Sequence, residues 1–405
     1  MADPSLVAVR GPLEPFAAGF VSSLMVQGYR RQTALIQVHL LAELSAWLLE
    51  EGLEPGQLDA TVVERFLTVR RRAGATRYVS EKAMHAIVAY LRREGVVGVP
   101  LVVAAIGPVE VTLERYRQYL IRERGLAATT ARLYTYLVRP FVSAQLSPDD
   151  LTLDWATLLA ADVIGFVVAR TPQQSRGTAK LTVTALRSLL GFLHVDGCIA
   201  RSLTSAVPSV AGWRLAGLPK GLTPKDVQAL FASCDRRGRS GRRDFAVLTL
   251  LVRLGLRAGE VAALRLDDID WRAGTVVVRG KGHQVEQLPL PSDVGAAVIG
   301  YLRRGRPVTA IDRTLFVRVK APHRALTSTG VTGIVAAAAD RAALGRIHAH
   351  RLRHTAAMQL LRAGAPLPEI SQLLRHRRVQ TTAIYAKVDR AALRAIAQPW
   401  PGGVA

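Results

Sequence analysis

The chain has 405 residues, 49% of them hydrophobic, which leaves room for two to four domains with real cores and excludes a disordered polymer. Lys and Arg number 54 against 31 Asp and Glu, a formal net charge of +23. A surplus of that size repels itself in a compact fold, so a polyanion is the expected partner, with nucleic acid the first candidate. Cys198 and Cys234 form no CxxC pair and read as ordinary thiols in a reducing cytosol.

No basic stretch followed by an apolar core opens the sequence, so no signal peptide is expected. The longest uncharged apolar run, near Gly95 to Val109, contains Pro100 and interior glycines. It is shorter than the ~20 residues that span a bilayer and reads as a linker. No membrane partner is expected, and the expected compartment is the cytoplasm, in contact with DNA.

The first 200 residues read as two similar helical units. Gly28–Leu48 and Gly125–Leu146 each begin with Gly, pass through a polar turn and enter an apolar-periodic helix. Asp59 and Asp154 then mark helix starts, and Gly95 and Gly197 mark stops. Gly125 lies 97 residues after Gly28, Asp154 lies 95 after Asp59, and Gly197 lies 102 after Gly95. That near-constant spacing predicts an internal duplication. A Pro/Gly-containing connector spans Pro208 to Pro219.

The next helix is predicted to start at Thr223, as N-cap, with Pro224 in its first turn. Arg236–Arg243, RRGRSGRR, reads as a solvated loop. The β-branched run Thr275–Arg279, the turn Gly280-Lys281-Gly282 and the alternation from Gln284 to Leu290 predict a hairpin. The remainder reads as helical up to a tail at Pro399–Ala405.

Four segments carry the chemistry. They are Leu254-Gly255-Leu256-Arg257-Ala258-Gly259-Glu260, the hairpin tip at Lys281, His350-Arg351-Leu352-Arg353-His354, and Leu373-Leu374-Arg375-His376 followed by Thr381-Thr382-Ala383-Ile384-Tyr385. In that order they resemble the boxes of the phage-integrase, or tyrosine recombinase, family, which includes the Cre-like and Xer-like enzymes. The resemblance is strong over about residues 220–395 and weaker over 110–205. Each box alone is a weak signal; together, within 128 residues from Arg257 to Tyr385, they are specific.

The resemblance implies a mainly α protein with a small β-hairpin in its catalytic domain, an α+β class. It implies a SAM-like DNA-binding domain over 108–210 and a catalytic domain over 218–400; residues 1–100 go beyond the family's minimal architecture and read, from the repeat, as an extra core-binding-like helical domain for arm-site DNA binding or protein contacts. The helical units would clamp DNA through salt-sensitive phosphate contacts. Double-stranded DNA carrying specific recombination sites is the expected partner. A homo-tetramer on two such sites is implied, with accessory DNA-bending or partner recombinase proteins as further candidates. The residues after Tyr385, Asp389–Ala397, read as a short amphipathic helix for docking on a neighbouring subunit or packing on its own domain.

Elementary chemistry supports the same roles. In-line attack on a phosphodiester builds negative charge on the phosphoryl oxygens, so catalysis rests on positioning and charge stabilisation. A guanidinium stays charged and offers phosphate a planar fork; Arg257 and Arg353 are the candidates. Tyr385 is the candidate nucleophile, weak at an ordinary pKa of about 10 and in need of a base. His350 is the candidate base. His376 would bond a phosphoryl oxygen, and Lys281 would protonate the leaving 5′-oxygen. Glu260 is expected to support an Arg or His from behind, and His354 to act as a structural hydrogen-bonder.

His350 and His354 stand four apart, but the residue after His350 is Arg351 rather than the Glu of a zinc helix. No metal and no other cofactor is expected. One departure from the family pattern is Arg375, where Gly is usual. With Arg377 and Arg378 it makes a cationic turn expected to contact DNA or to shift His376. A type IB topoisomerase, a catalytically silent DNA-binding regulator and a basic packaging scaffold are the rival readings.

Overall fold

A computed structural model describes residues 3–98, 107–147, 149, 152–211, 221–280, 284–375, 382, 384 and 385. The chain divides into two compact units, one made of residues 1–98 with 217–405 and the other of residues 99–216. Lys281, His283, His376, Arg377, Arg378, most of the connector and the expected helix at Asp389–Ala397 lie outside the described residues.

Residues up to 98 contribute α1 (Ala17–Val26), α2 (Arg31–Glu50), α3 (Ala60–Arg72) and α4 (Glu81–Arg93). Leu41, Leu44, Leu48, Phe66, Leu67, Ile87 and Leu91 repeat at helical spacing and meet in a core of their own. Asp59 caps α3 by accepting from the Val62 amide at 2.8 Å, as its place before the apolar run predicts. Gly28, at the turn between α1 and α2, has φ +81°. A Cβ there would lie 2.6 Å from both His323 and Thr309, so only glycine fits the turn.

The other unit carries α5 (Pro108–Arg122), α6 (Ala128–Ser143), α7 (Ala160–Arg170) and α8 (Arg176–Val195). It has a separate core around Tyr116, Val138, Phe141, Leu186 and Leu193. Each set follows the same helix order, and its helices start 91, 97, 100 and 95 residues after their counterparts. Within each set the first helix packs on the second and fourth, and the second packs on the fourth. The spacing read from the sequence thus has a helix-by-helix counterpart.

From residue 221 the fold changes. Thr223 caps α9 (Pro224–Ala232) through a reciprocal bond with Asp226, as its sequence signature predicts. There follow α10 (Arg239–Arg253), α11 (Ala258–Ala263), the strands β1 (Ile269–Asp270), β2 (Thr275–Arg279) and β3 (Val285–Pro289), and α12 (Ser292–Arg304). Then come α13 (Ser328–Arg341), α14 (Ala349–Arg362) and α15 (Leu367–Leu373). The strands form an antiparallel sheet in the order β1-β2-β3, with Val276 opposite Leu288 and Val278 opposite Glu286. The predicted hairpin is β2–β3; the two-residue β1 gave no periodic signal.

The expectation for Arg236–Arg243 is corrected in part. Its second half, from Arg239, is the first turns of α10. The buried run Ala246–Val252 drives that helix into the core, with Arg239 exposed at its start and Arg243 half-buried against Asp244. Val247, Leu251, Val298, Val331, Val335 and Leu352 are among the residues that close the core there. No described helix is long and apolar enough to cross a membrane.

Candidate active site

Arg257 sits at the entry to α11, where Gly255 (φ +57°) turns the chain after α10. A Cβ on Gly255 would lie 2.6 Å from Leu374, so the first and fourth of the four chemistry-bearing segments meet at a point with no room for a side chain. Glu260, one turn into α11, accepts from the Arg257 backbone amide at 2.8 Å and from its Nη1 at 2.5 Å. The expected support from behind is thus an Arg257–Glu260 pair.

His350, Arg353 and His354 lie on α14 three and four residues apart, which places them on one face. Arg353 is 2% exposed. Its Nη1 donates to Gly255 O at 2.6 Å, and its Nη2 donates to Leu374 O. Those two bonds join α14 to the first and fourth of these segments. Burial, with Arg257 and Arg375 close by, lowers the Arg353 pKa to about 10, which leaves it charged at neutral pH. Arg257 is 40% exposed, so it offers its remaining donors to solvent.

Arg257, Glu260, His350 and Arg353 line one cavity of about 620 Å³, with Arg279 at the end of β2 and Ser328 on α13. Two mutually repelling arginines in one cleft favour an anion between them. His350 is pushed below its ordinary pKa, by burial first and then by Arg353 and Arg257. It is neutral at pH 7, as a proton acceptor must be.

Tyr385 meets α14 at His354, on the face that also carries His350 and Arg353. It is 1% exposed and packs with Ala357, Ile370 and Leu374. Its hydroxyl meets His354 Nδ1 at 2.7 Å. Burial pushes the phenol up to about 12, with Arg353 pulling the other way. Burial, with His350 and Arg353, pushes His354 down to about 4. The proton therefore stays on the phenol, which donates to the imidazole. The rings of His350 and His354 touch edge-on, 4.6 Å between centroids.

Sequence reasoning placed His354 as a structural hydrogen-bonder; the structure makes its partner the candidate nucleophile. Arg375 differs from its expectation as a DNA contact. Its side chain is 3% exposed and turns inward to Glu260, Nη2 to Oε2 at 2.8 Å. A buried carboxylate already committed to Arg257 draws in a second cation. Arg279 and Ser328 were missed. Arg279 borders the hairpin glycine, a usable signal; Ser328 has no pattern that marks it. Among the described residues no cluster of His, Cys, Asp or Glu could hold a metal ion.

The family model of the phage integrase family matches residues 220–391, and that of the phage integrase N-terminal SAM-like domain matches residues 113–197. Integrase/recombinase y4rA of Sinorhizobium fredii is 38% identical over 97% of this chain and 95% of its own. The chain belongs to the phage integrase family. It is a tyrosine recombinase, and further relatives agree. Tyrosine recombinase XerD of Listeria monocytogenes is 32% identical over 70% of this recombinase and 95% of its own length. Among solved structures, XerH site-specific recombinase in a post-cleavage complex with its difH substrate matches with a TM-score of 0.54 and 18% identity. It covers 82% of this recombinase and 93% of that chain, and it shows a shared fold of helices with a small sheet.

Proposed function

We propose that this recombinase cuts and rejoins DNA at specific sites with Tyr385 as nucleophile and the cleft of Arg257, His350 and Arg353 as the phosphate seat. The observation that carries the reading is the convergence of those three residues, from segments almost 100 residues apart, on one cavity. The arginine in that cleft that is bonded to both flanking boxes, Arg353, lies next to the tyrosine.

In the proposed step the Tyr385 oxygen attacks phosphorus, a tyrosyl–phosphate bond forms and the bond to the 5′-oxygen breaks. The phenolic proton goes to His350, and the leaving oxygen takes a proton from Lys281. Arg257 and Arg353 hold the oxygens on which charge grows, with His376 as a further donor. A 5′-hydroxyl of a partner strand then reverses the attack. Bond energy stays in the covalent link, so neither ATP nor a metal ion is needed. Tyr385 leaves His354 before it attacks, because a phenol at 1% exposure cannot reach a duplex.

One similar solved structure is a lambda integrase tetramer bound to a Holliday junction, with a TM-score of 0.53 and 17% identity. A homo-tetramer on two DNA sites is the assembly proposed here as well.

The test is covalent trapping. Nicked duplexes from both flanks of the chain's own gene are incubated with the protein, in chelator and without ATP, then denatured. The expected result is a protein–DNA adduct that Tyr385→Phe does not form. Tight binding without any adduct, on these duplexes and on random genomic fragments, would sink the reading in favour of a silent regulator. Relaxation of supercoils at no preferred sequence would favour a topoisomerase.

A further inference from the structure

The turn after α15 bonds to both candidate phosphate-binding arginines. Leu374 O accepts from Arg353, and Arg375 O accepts from Arg257 Nη2 at 3.3 Å. The Arg375 side chain then folds back over the same turn. Its Nη1 donates to Leu373 O at 2.8 Å and its Nη2 to Glu260 Oε2 at 2.8 Å. Its backbone is left-handed, φ +52°, a conformation that glycine adopts without strain and other residues adopt at a cost. Its Nε is buried and has no hydrogen-bond partner among the described residues. A strained backbone and an unmet donor in one residue call for compensating interactions, and its side chain makes two, to Leu373 O and to Glu260.

Glu260 is divided between two cations. Oε1 takes Arg257 Nη1, while Oε2 takes the Arg257 backbone amide and Arg375 Nη2. An unoccupied carboxylate oxygen would draw a second guanidinium nitrogen of Arg257 into a two-pronged pair. Arg375 shares that oxygen with the Arg257 backbone amide. Through its side chain Arg257 meets Glu260 by Nη1 alone, while its Nη2 donates to Arg375 O at 3.3 Å.

We propose that Arg375 is a positioning residue: its side chain on one oxygen of Glu260 and its carbonyl on Arg257 Nη2 keep the Arg257 guanidinium from collapsing onto that carboxylate and hold it for phosphate. The inference rests on the reading of Arg257 as a phosphate-binding residue.

Among the described residues, the charged and titratable groups around Glu260 are Arg257 at the start of its own helix, Arg353, His350 and His348 from α14 and its cap, Arg279 from β2, and Arg375. Burial alone raises the Glu260 pKa. The Arg257 amide and then Arg375 lower it, and the net shift is downward. Loss of Arg375 therefore moves Glu260 upward, and the acid limb of the pH–rate profile should move upward with it.

The test uses the full chain with Arg375→Gly, which fits the left-handed turn without strain, and Arg375→Lys, which keeps a cation near Glu260. Two readouts are taken. One is binding of inorganic phosphate to the DNA-free protein, followed by phosphorus line broadening. The other is single-turnover adduct formation on the nicked flanking duplexes. Arg375→Gly is expected to weaken phosphate binding and slow cleavage about tenfold each, with the acid limb shifted up. Arg375→Lys is expected to recover most of both. In a Glu260→Gln background, Arg375→Gly is expected to add nothing further.

Wild-type values for Arg375→Gly in both assays overturn the inference. So does a full additive loss in the Glu260→Gln background, because Arg375 would then act by another route. A wild-type protein that neither binds phosphate nor forms an adduct overturns the proposed function first, and this inference with it.

Discussion

The pair of Tyr385 and His354 makes a residue-scale prediction about pH. His354 sits near 4 in the folded chain and about 6.5 when unfolded, and His350 is also pushed down. A histidine with a lowered folded pKa binds its proton more readily in the unfolded chain. Its contribution is complete above about pH 6.5 and is lost as pH falls towards 4. Thermal denaturation from pH 7 to 4 should show stability dropping across that window, with the drop smaller in His354→Gln. A second prediction concerns charge. Arg353→Ala leaves two buried carbonyls without their donor and removes the innermost cation. It should cost about 3 kcal/mol of stability or more and abolish adduct formation, read by melting and by trapping. Arg353→Lys should keep part of the stability and little of the cleavage, because an ammonium cannot reach Gly255 O, Leu374 O and a phosphate together.

At the scale of elements, the site depends on how α11, α14 and the turn after α15 abut. Gly255→Ala puts a Cβ into a left-handed position and against Leu374. The backbone term alone is roughly 1–2 kcal/mol. Loss of cleavage should exceed loss of stability, because the displaced carbonyl is the one Arg353 uses. Thr223→Ala is the contrasting case. It removes the cap of α9, should lower stability by about 1 kcal/mol, and should leave single-turnover cleavage unchanged. The caps, the β2–β3 hairpin and the α14 face were legible in the sequence because each depends on local spacing. The inward turn of Arg375 was not, because its partner Glu260 lies 115 residues away. In a strongly basic chain an arginine beside Arg377 and Arg378 reads by default as a surface cation. The bond between His354 and Tyr385 was hidden for the same reason: four-residue spacing places His354 on a face, not opposite a particular tyrosine.

For the whole molecule, the charge surplus is uneven. Residues 217–405 hold 31 Lys and Arg against 13 Asp and Glu, residues 99–216 hold 12 against 8, and residues 1–98 hold 11 against 10. In the first segment Arg65, Arg70 and Arg71 are spent on Glu51, Glu43 and Glu64. Two four-helix sets of the same order thus differ in their electrostatics, and the nearly neutral one should contribute little to phosphate contacts. Salt titration of DNA affinity measures this. Arg257→Ala should lower the slope by about one phosphate equivalent. Arg77→Gln with Lys82→Gln should leave it unchanged.

The seating of Tyr385 has a consequence for a cell that carries this protein. Chromosomal DNA is one long polymer of possible victims, and a strand breaker that searches it meets wrong phosphates far more often than right ones. On the proposed mechanism, a recombinase whose Tyr385 stays buried against His354 can slide, pause and dissociate without leaving a scar. Each false encounter is then harmless, and the genome is exposed only where the tyrosine has been drawn out.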